Sequence, residues 1–212
     1  DSEELTVILV AHKTDEAGRK RTRRLFTTLN KYAKPVSQGE IIALSEDDTY
    51  AIVTRRLVDE YPGLSGDFVP LYKTANIPSR DKRSMTSLIS LYGVVKAISV
   101  PYGRRSSGRL IKGPPNPVTV GDFYVQATDF WDAVKVSFPQ VAEVFNSKPE
   151  DELVAMYRHE NGGHFLFRPF CLVAFAKTVR MLMSRGFSIV ESLKVLSDIQ
   201  MDISKDPWRH VV

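Results

Sequence analysis

The 212-residue chain has a single cysteine, Cys171. An internal disulfide needs two cysteines and a thiolate zinc cage needs more, so the expectation is a reducing, cytoplasmic setting and a core without covalent staples. Cys171 sits in the apolar run Phe170-Cys171-Leu172-Val173-Ala174-Phe175 and reads as a small buried hydrophobe rather than a nucleophile. No apolar stretch approaches the ~20 residues of a membrane span, which argues against a membrane partner. Leu5 to Ala11 is only strand length and follows acids, unlike a secretory leader. Histidines are also few: His12, His159, His164 and His210. His159 and His164 lack the one-turn spacing of an HExxH pair, and the Gly162-Gly163 between them favours a turn, so no metal site is expected. The acids Asp47, Asp48, Asp59 and Glu60 read as helix caps and solvated faces rather than metal ligands. Dinucleotide-binding, Walker A and nucleophile-elbow motifs are all absent. No catalytic residue follows from the chain, no cofactor is evident, and the question of enzyme or not stays open.

What is present is an ordinary globular balance: 43% apolar residues, 25% charged, and a net charge of +4. The charge is uneven. Lys13 to Lys34 holds eight Lys or Arg against two acids, and five of the six residues from Arg19 to Arg24 are basic. Local density governs polyanion binding more than the total does. Arg19, Lys20, Arg21, Arg23 and Arg24 are therefore candidate phosphate contacts, gaining affinity by counterion release. A second candidate cluster, Arg104, Arg105, Arg109 and Lys112, falls in a Gly/Pro/Ser-rich stretch beside Tyr102. Such loops order on nucleic acid, although a solvated helix face and a solvated loop explain the same residues without function.

Leu5 to Ala11 reads as a buried strand, with a helix from about Glu16 to Tyr32 after it. Asn30, near that helix's end, reads as a structural cap rather than a cleft residue. Ser37 and Glu40 form a capping box, and Asp47-Asp48 precede a helix over Tyr50–Val58 that stops before Pro62-Gly63. Phe68–Tyr72 reads as a short strand and Ser84–Ile98 as a helix. Residues 100–118 read as a mobile linker. Thr119 and Asp122 predict the start of a helix to about Ser137, which Pro139 kinks or restarts. Gly162–Arg168 reads as a turn and short strand. Pro169 suits the first turn of an apolar helix ending at Gly186, and Ser188 with Glu191 opens another. The expected class is α/β or α+β: a small N-terminal sheet with helices, then a mostly helical C-terminal half. The expected regions are 1–99, a basic linker 100–118, and a helical 119–212 packing on the first. The chain opens at Asp1 and enters a strand at once, so it reads as part of a longer polypeptide.

The segment Leu25-Phe26-Thr27-Thr28-Leu29-Asn30-Lys31-Tyr32-Ala33-Lys34-Pro35-Val36-Ser37 resembles the DGQHR-domain family. The likeness continues through Glu40–Leu44, Arg55–Val58, Gly162–Pro169 and Pro207-Trp208-Arg209. This group includes DndB-like proteins associated with DNA phosphorothioate modification and is distantly similar to ParB and sulfiredoxin-like folds. The naming Asp-Gly-Gln-His-Arg motif is missing, and would lie just before Leu5–Ala11, so no catalytic residue carries over. The resemblance implies a ParB/sulfiredoxin-like domain and a cytoplasmic DNA-binding accessory or regulatory protein of a DNA-modification or phage-defence system, acting in transcription regulation. DNA and other subunits of such a system would be its partners, and a nucleotide is the one cofactor the upstream motif leaves open. Two alternatives stand beside it: an NTPase or nuclease whose active motif lies upstream of Asp1, and an assembly subunit that binds an acidic protein.

Overall fold

The computed structural model describes residues 15–32, 36–72, 74–99 and 116–210. The strand expected at Leu5–Ala11, the cations Arg104, Arg105, Arg109 and Lys112, and most of the 100–118 linker lie outside them. The chain divides into two compact units, residues 1–36 and 37–212.

The first unit contributes α1, Glu16–Tyr32, with the span expected. Asp15 starts it: its carboxylate accepts from the Gly18 N–H (2.6 Å) and its carbonyl from the Arg19 N–H (3.0 Å), satisfying donors that a helix N-terminus leaves orphaned.

The second unit is a helical assembly of α2 (Gln38–Leu44), α3 (Thr49–Glu60), α4 (Leu88–Ser99), α5 (Pro117–Ser137), α6 (Pro139–Phe145), α7 (Val154–Tyr157), α8 (Pro169–Ser184) and α9 (Ile189–Ser197). A two-stranded antiparallel sheet, β1 (Arg158–His159) and β2 (Gly162–Gly163), lies between α7 and α8. The described residues are thus mostly helical with a small sheet, an α+β arrangement. That sheet belongs to the C-terminal half. α4 is apolar nearly all round, and such a helix must be enclosed. It packs against α8, α5 and α3, while α3 and α9 pack on α5. Trp131 and Phe130 of α5, Leu57 of α3, Leu91 of α4 and Leu172 of α8 are fully buried in the shared core. Helices on both sides of residues 100–118 therefore close over one interior.

Local signals explain most boundaries. Capping boxes at Ser37/Glu40 and Ser188/Glu191 open α2 and α9, and Asp48 caps α3 through the Tyr50 and Ala51 N–H groups. Pro139 opens α6 immediately after α5 ends.

Three expectations need correction. Phe68–Tyr72 is no strand: Gly66–Phe68 forms a 3-10 turn and the chain then runs irregularly. The Phe68 carbonyl accepts from the Met85 and Thr86 N–H groups, and that of Pro70 from Leu88. The backbone bonds that a strand would place in a ladder tie this segment to the entry of α4 instead. α4 begins at Leu88 rather than Ser84, because Ser87 caps it, its carbonyl accepting from Leu91 and its hydroxyl from the Ser90 N–H. α5 starts at Pro117, ahead of the Thr119/Asp122 signal, since Asn116 caps the Val118 N–H at 2.9 Å and Pro117 is pre-set for a first turn.

Gly162 and Gly163 are imposed by the hairpin. Their φ angles are +139° and +109°, and a Cβ on Gly163 would lie 2.3 Å from the Tyr157 carbonyl oxygen. Among the described residues no helix is long and apolar enough to cross a membrane.

Candidate functional site

The cations Arg19, Lys20, Arg21, Arg23 and Arg24 all fall on α1 and all are exposed. At 3.6 residues per turn they span an arc of roughly 200°, leaving Leu25, Phe26 and Leu29 on the remaining face. None of the five pairs with a carboxylate among the described residues. The only acid within the helix, Glu16, sits in its first turn, where it complements the dipole. Thr27 turns its hydroxyl back to the Arg23 carbonyl at 2.8 Å. The face is a row of guanidinium and ammonium groups without carboxylate partners among the described residues, which a row of phosphates would match.

The second unit carries cations that sequence reasoning passed over. Arg80, Lys82 and Arg83 project from the loop before α4, and all three are exposed. Asp81 anchors the loop. It accepts from the Arg83 and Ser84 N–H groups (both 2.9 Å), from the Ser84 hydroxyl (2.5 Å) and from the Tyr72 hydroxyl. Burial alone would raise the Asp81 carboxyl, but the Ser84 and Tyr72 hydroxyls and the backbone donors outweigh it and hold the group at about 2. Arg158 locks the loop from behind, donating to the Ser84 and Asp81 carbonyls at 2.5 and 2.7 Å, with the Asp81 carboxylate 4.0 Å away. Burial lowers the Arg158 pKa, Asp81 opposes that, and neighbouring Arg168 adds to it. The signal for this basic loop was present as three cations in the four residues Arg80–Arg83, but a lone aspartate in their midst disguised its rigidity.

Other singled-out residues hold structure. Asp48, besides capping α3, accepts from the Tyr92 hydroxyl at 2.8 Å, and Glu60 pairs with Arg56 at 2.9 Å. His164 accepts the Leu166 N–H at Nδ1 (3.3 Å) among the rings of Phe138, Tyr157 and Phe167. Burial depresses its pKa to about 4, against a weaker opposing pull from Asp202. Cys171 is buried and unpaired, as read from the chain, and burial raises its thiol pKa. Among the described residues no group of three or more His, Cys, Asp or Glu side chains is placed to hold a metal ion.

The chain matches no protein-family model, no curated protein and no solved structure.

Proposed function

We propose that this chain is a DNA-binding accessory or regulatory protein of a DNA-modification or phage-defence system, DndB-like in role. The observation that carries the binding step is α1, whose five exposed cations have no carboxylate partner among the described residues. Residues 19 to 24 occupy only about 8 Å of helix axis, and duplex DNA offers one phosphate charge per ~1.7 Å. Each cation set against a phosphate releases condensed counterions, so affinity comes from position and charge rather than from base reading. The rigid Arg80–Arg83 loop is a second surface with the same chemistry. The DNA-modification setting rests on the resemblance of Leu25–Ser37 and Gly162–Pro169 to the DGQHR-domain family.

The test is duplex binding across salt concentrations, by the chain and by its Arg21→Glu/Arg23→Glu/Arg24→Glu variant. For five phosphate contacts, the logarithm of affinity should fall with the logarithm of salt at a slope of about −4.5. The variant should lose binding while keeping the helical spectrum and unfolding midpoint of the parent. Binding that ignores salt, or survives the three reversals, overturns the reading. Capture of an acidic protein without DNA binding would favour an assembly role, and nucleotide turnover by a longer chain would favour an enzyme.

A further inference from the structure

A cavity of about 790 Å³ opens between the β1–β2 hairpin, the start of α8 and the C-terminal segment. Three guanidinium groups line it: Arg158, Arg168 and Arg209. Two have carboxylate company, Arg158 facing Asp81 at 4.0 Å and Arg209 pairing with Asp206 at 2.6 Å. Arg168 has none among the described residues. Its Nη2 donates to the carbonyls of His159 (2.6 Å) and Gly162 (2.7 Å), which fixes the plane of the group. Nη1 has no acceptor among the described residues, whereas Nε is buried out of reach of the cavity.

A second feature converges on the same space. Arg168 is also the residue before α8, and that helix has no side-chain cap. Phe170 and Cys171, in its first turn, line the cavity, so uncapped N–H groups and the positive end of a 16-residue helix sit beside the fixed guanidinium. A planar fork beside a helix N-terminus is the arrangement that binds phosphoryl oxygens best. The cavity exceeds what phosphate alone would fill and falls in the usual range for small-molecule sites, roughly 300–1,000 Å³. Its remaining wall is mixed. Ile77 and the exposed Phe170 ring offer an apolar surface for a flat group, and Asn76 and Asn161 offer amides. Glu160 is the single carboxylate in the lining.

We infer that this cavity binds a phosphomonoester of nucleotide size, its phosphoryl group held by Arg168 and the first turn of α8, with Arg158 and Arg209 supplying long-range attraction. The inference does not rest on the DNA-binding reading, because every residue it uses belongs to the second unit.

Calorimetric titration at constant ionic strength tests it, using 5′-mononucleotides, the matching nucleosides and inorganic phosphate. The chain should bind a mononucleotide saturably, and at least about tenfold more tightly than the nucleoside, the worth of one charge-assisted contact set. Arg168→Ala would also free the hairpin, so the diagnostic variants are Asn161→Asp and Arg209→Glu, which add negative charge at exposed positions. Each should weaken mononucleotide binding by about fivefold or more, a shift of roughly 1 kcal/mol, with the unfolding midpoint unchanged. Absence of saturable binding by any 5′-mononucleotide overturns the inference. Equal affinity in both variants overturns the site. Phosphate binding as tight as the best mononucleotide overturns the nucleotide-sized ligand.

Discussion

The arginines of α1 and those around the β1–β2 hairpin share one side-chain chemistry and have opposite surroundings. Arg19, Arg21, Arg23 and Arg24 are exposed, clustered in sequence and unpaired with acids among the described residues. Arg158 and Arg168 stand apart in sequence from other Lys and Arg residues; Arg158 donates to the Ser84 and Asp81 carbonyls, and Arg168 donates through Nη2 to those of His159 and Gly162. Arg55 behaves like the second group, bonding the Ile42 and Ser45 carbonyls at the end of α2. Five N–H donors in a rigid fork suit both tasks. Crowded cations repel and must face solvent or a polyanion, whereas an isolated one can afford burial if carbonyls receive it. Clustering along the chain therefore marks the solvent-facing cations of α1, whereas arginines held by carbonyls are marked by their tertiary contacts.

That contrast can be broken most forcefully at Arg158. Its side chain is only 7% exposed, so Arg158→Met leaves the Ser84 and Asp81 carbonyls and the Asp81 carboxylate short of partners. The expected loss is on the order of 3 kcal/mol, read as a lower urea midpoint, together with faster proteolysis near Arg80–Arg83. Gly163→Ala should cost about 2 kcal/mol or more, because the added methyl meets the Tyr157 carbonyl and the φ of +109° strains any L residue. Circular dichroism on heating would measure it.

A smaller and pH-dependent effect comes from His164. Its folded pKa of about 4 lies below the ordinary 6.5, so the unfolded chain takes up this proton first. The stabilisation is complete above about pH 6.5 and is lost as pH falls toward 4. Asp81, held at about 2 against an ordinary 3.8, adds a further loss below that window. His164→Asn keeps an acceptor for the Leu166 N–H and removes the titration. It should flatten the dependence of the urea midpoint between pH 6.5 and 4. The smallest stability effect belongs to α1: Arg23→Ala should move unfolding by less than about 0.5 kcal/mol yet lower the salt slope of DNA binding by about one. A destabilisation as large as that of Arg158→Met would erase the distinction between the two sets.

Helical structure was legible wherever a local signal was strong. The span of α1 follows from its apolar spacing, and both capping boxes lie where Ser and Glu stand three apart. What was not legible was tertiary. The strand-like composition of Phe68–Tyr72 yields to bonds made with Met85, Thr86 and Leu88, residues whose nearness no local pattern announces. On the site, the basic row of α1 was readable because its residues are contiguous. The Arg80–Arg83 loop also holds three cations in four residues, but its anchoring depends on Tyr72, Ser84 and Arg158, the last of them 77 residues from Asp81. Gly162–Arg168 reads from the chain as a turn and short strand, whereas Gly162-Gly163 is itself the strand β2 and Phe165–Phe167 forms a 3-10 turn leading to the uncapped start of α8.

The solitary thiol of Cys171 gives the molecule a built-in clock. It is 5% exposed, its ionisation is suppressed by burial, and no second cysteine competes for reagent. Thiolate is the reactive form, so a maleimide or disulfide reagent acts slowly, from the cavity that Cys171 lines or when the first turn of α8 opens. One modification per chain, timed by mass spectrometry, then follows access to that turn, and anything lodged against it slows the reaction.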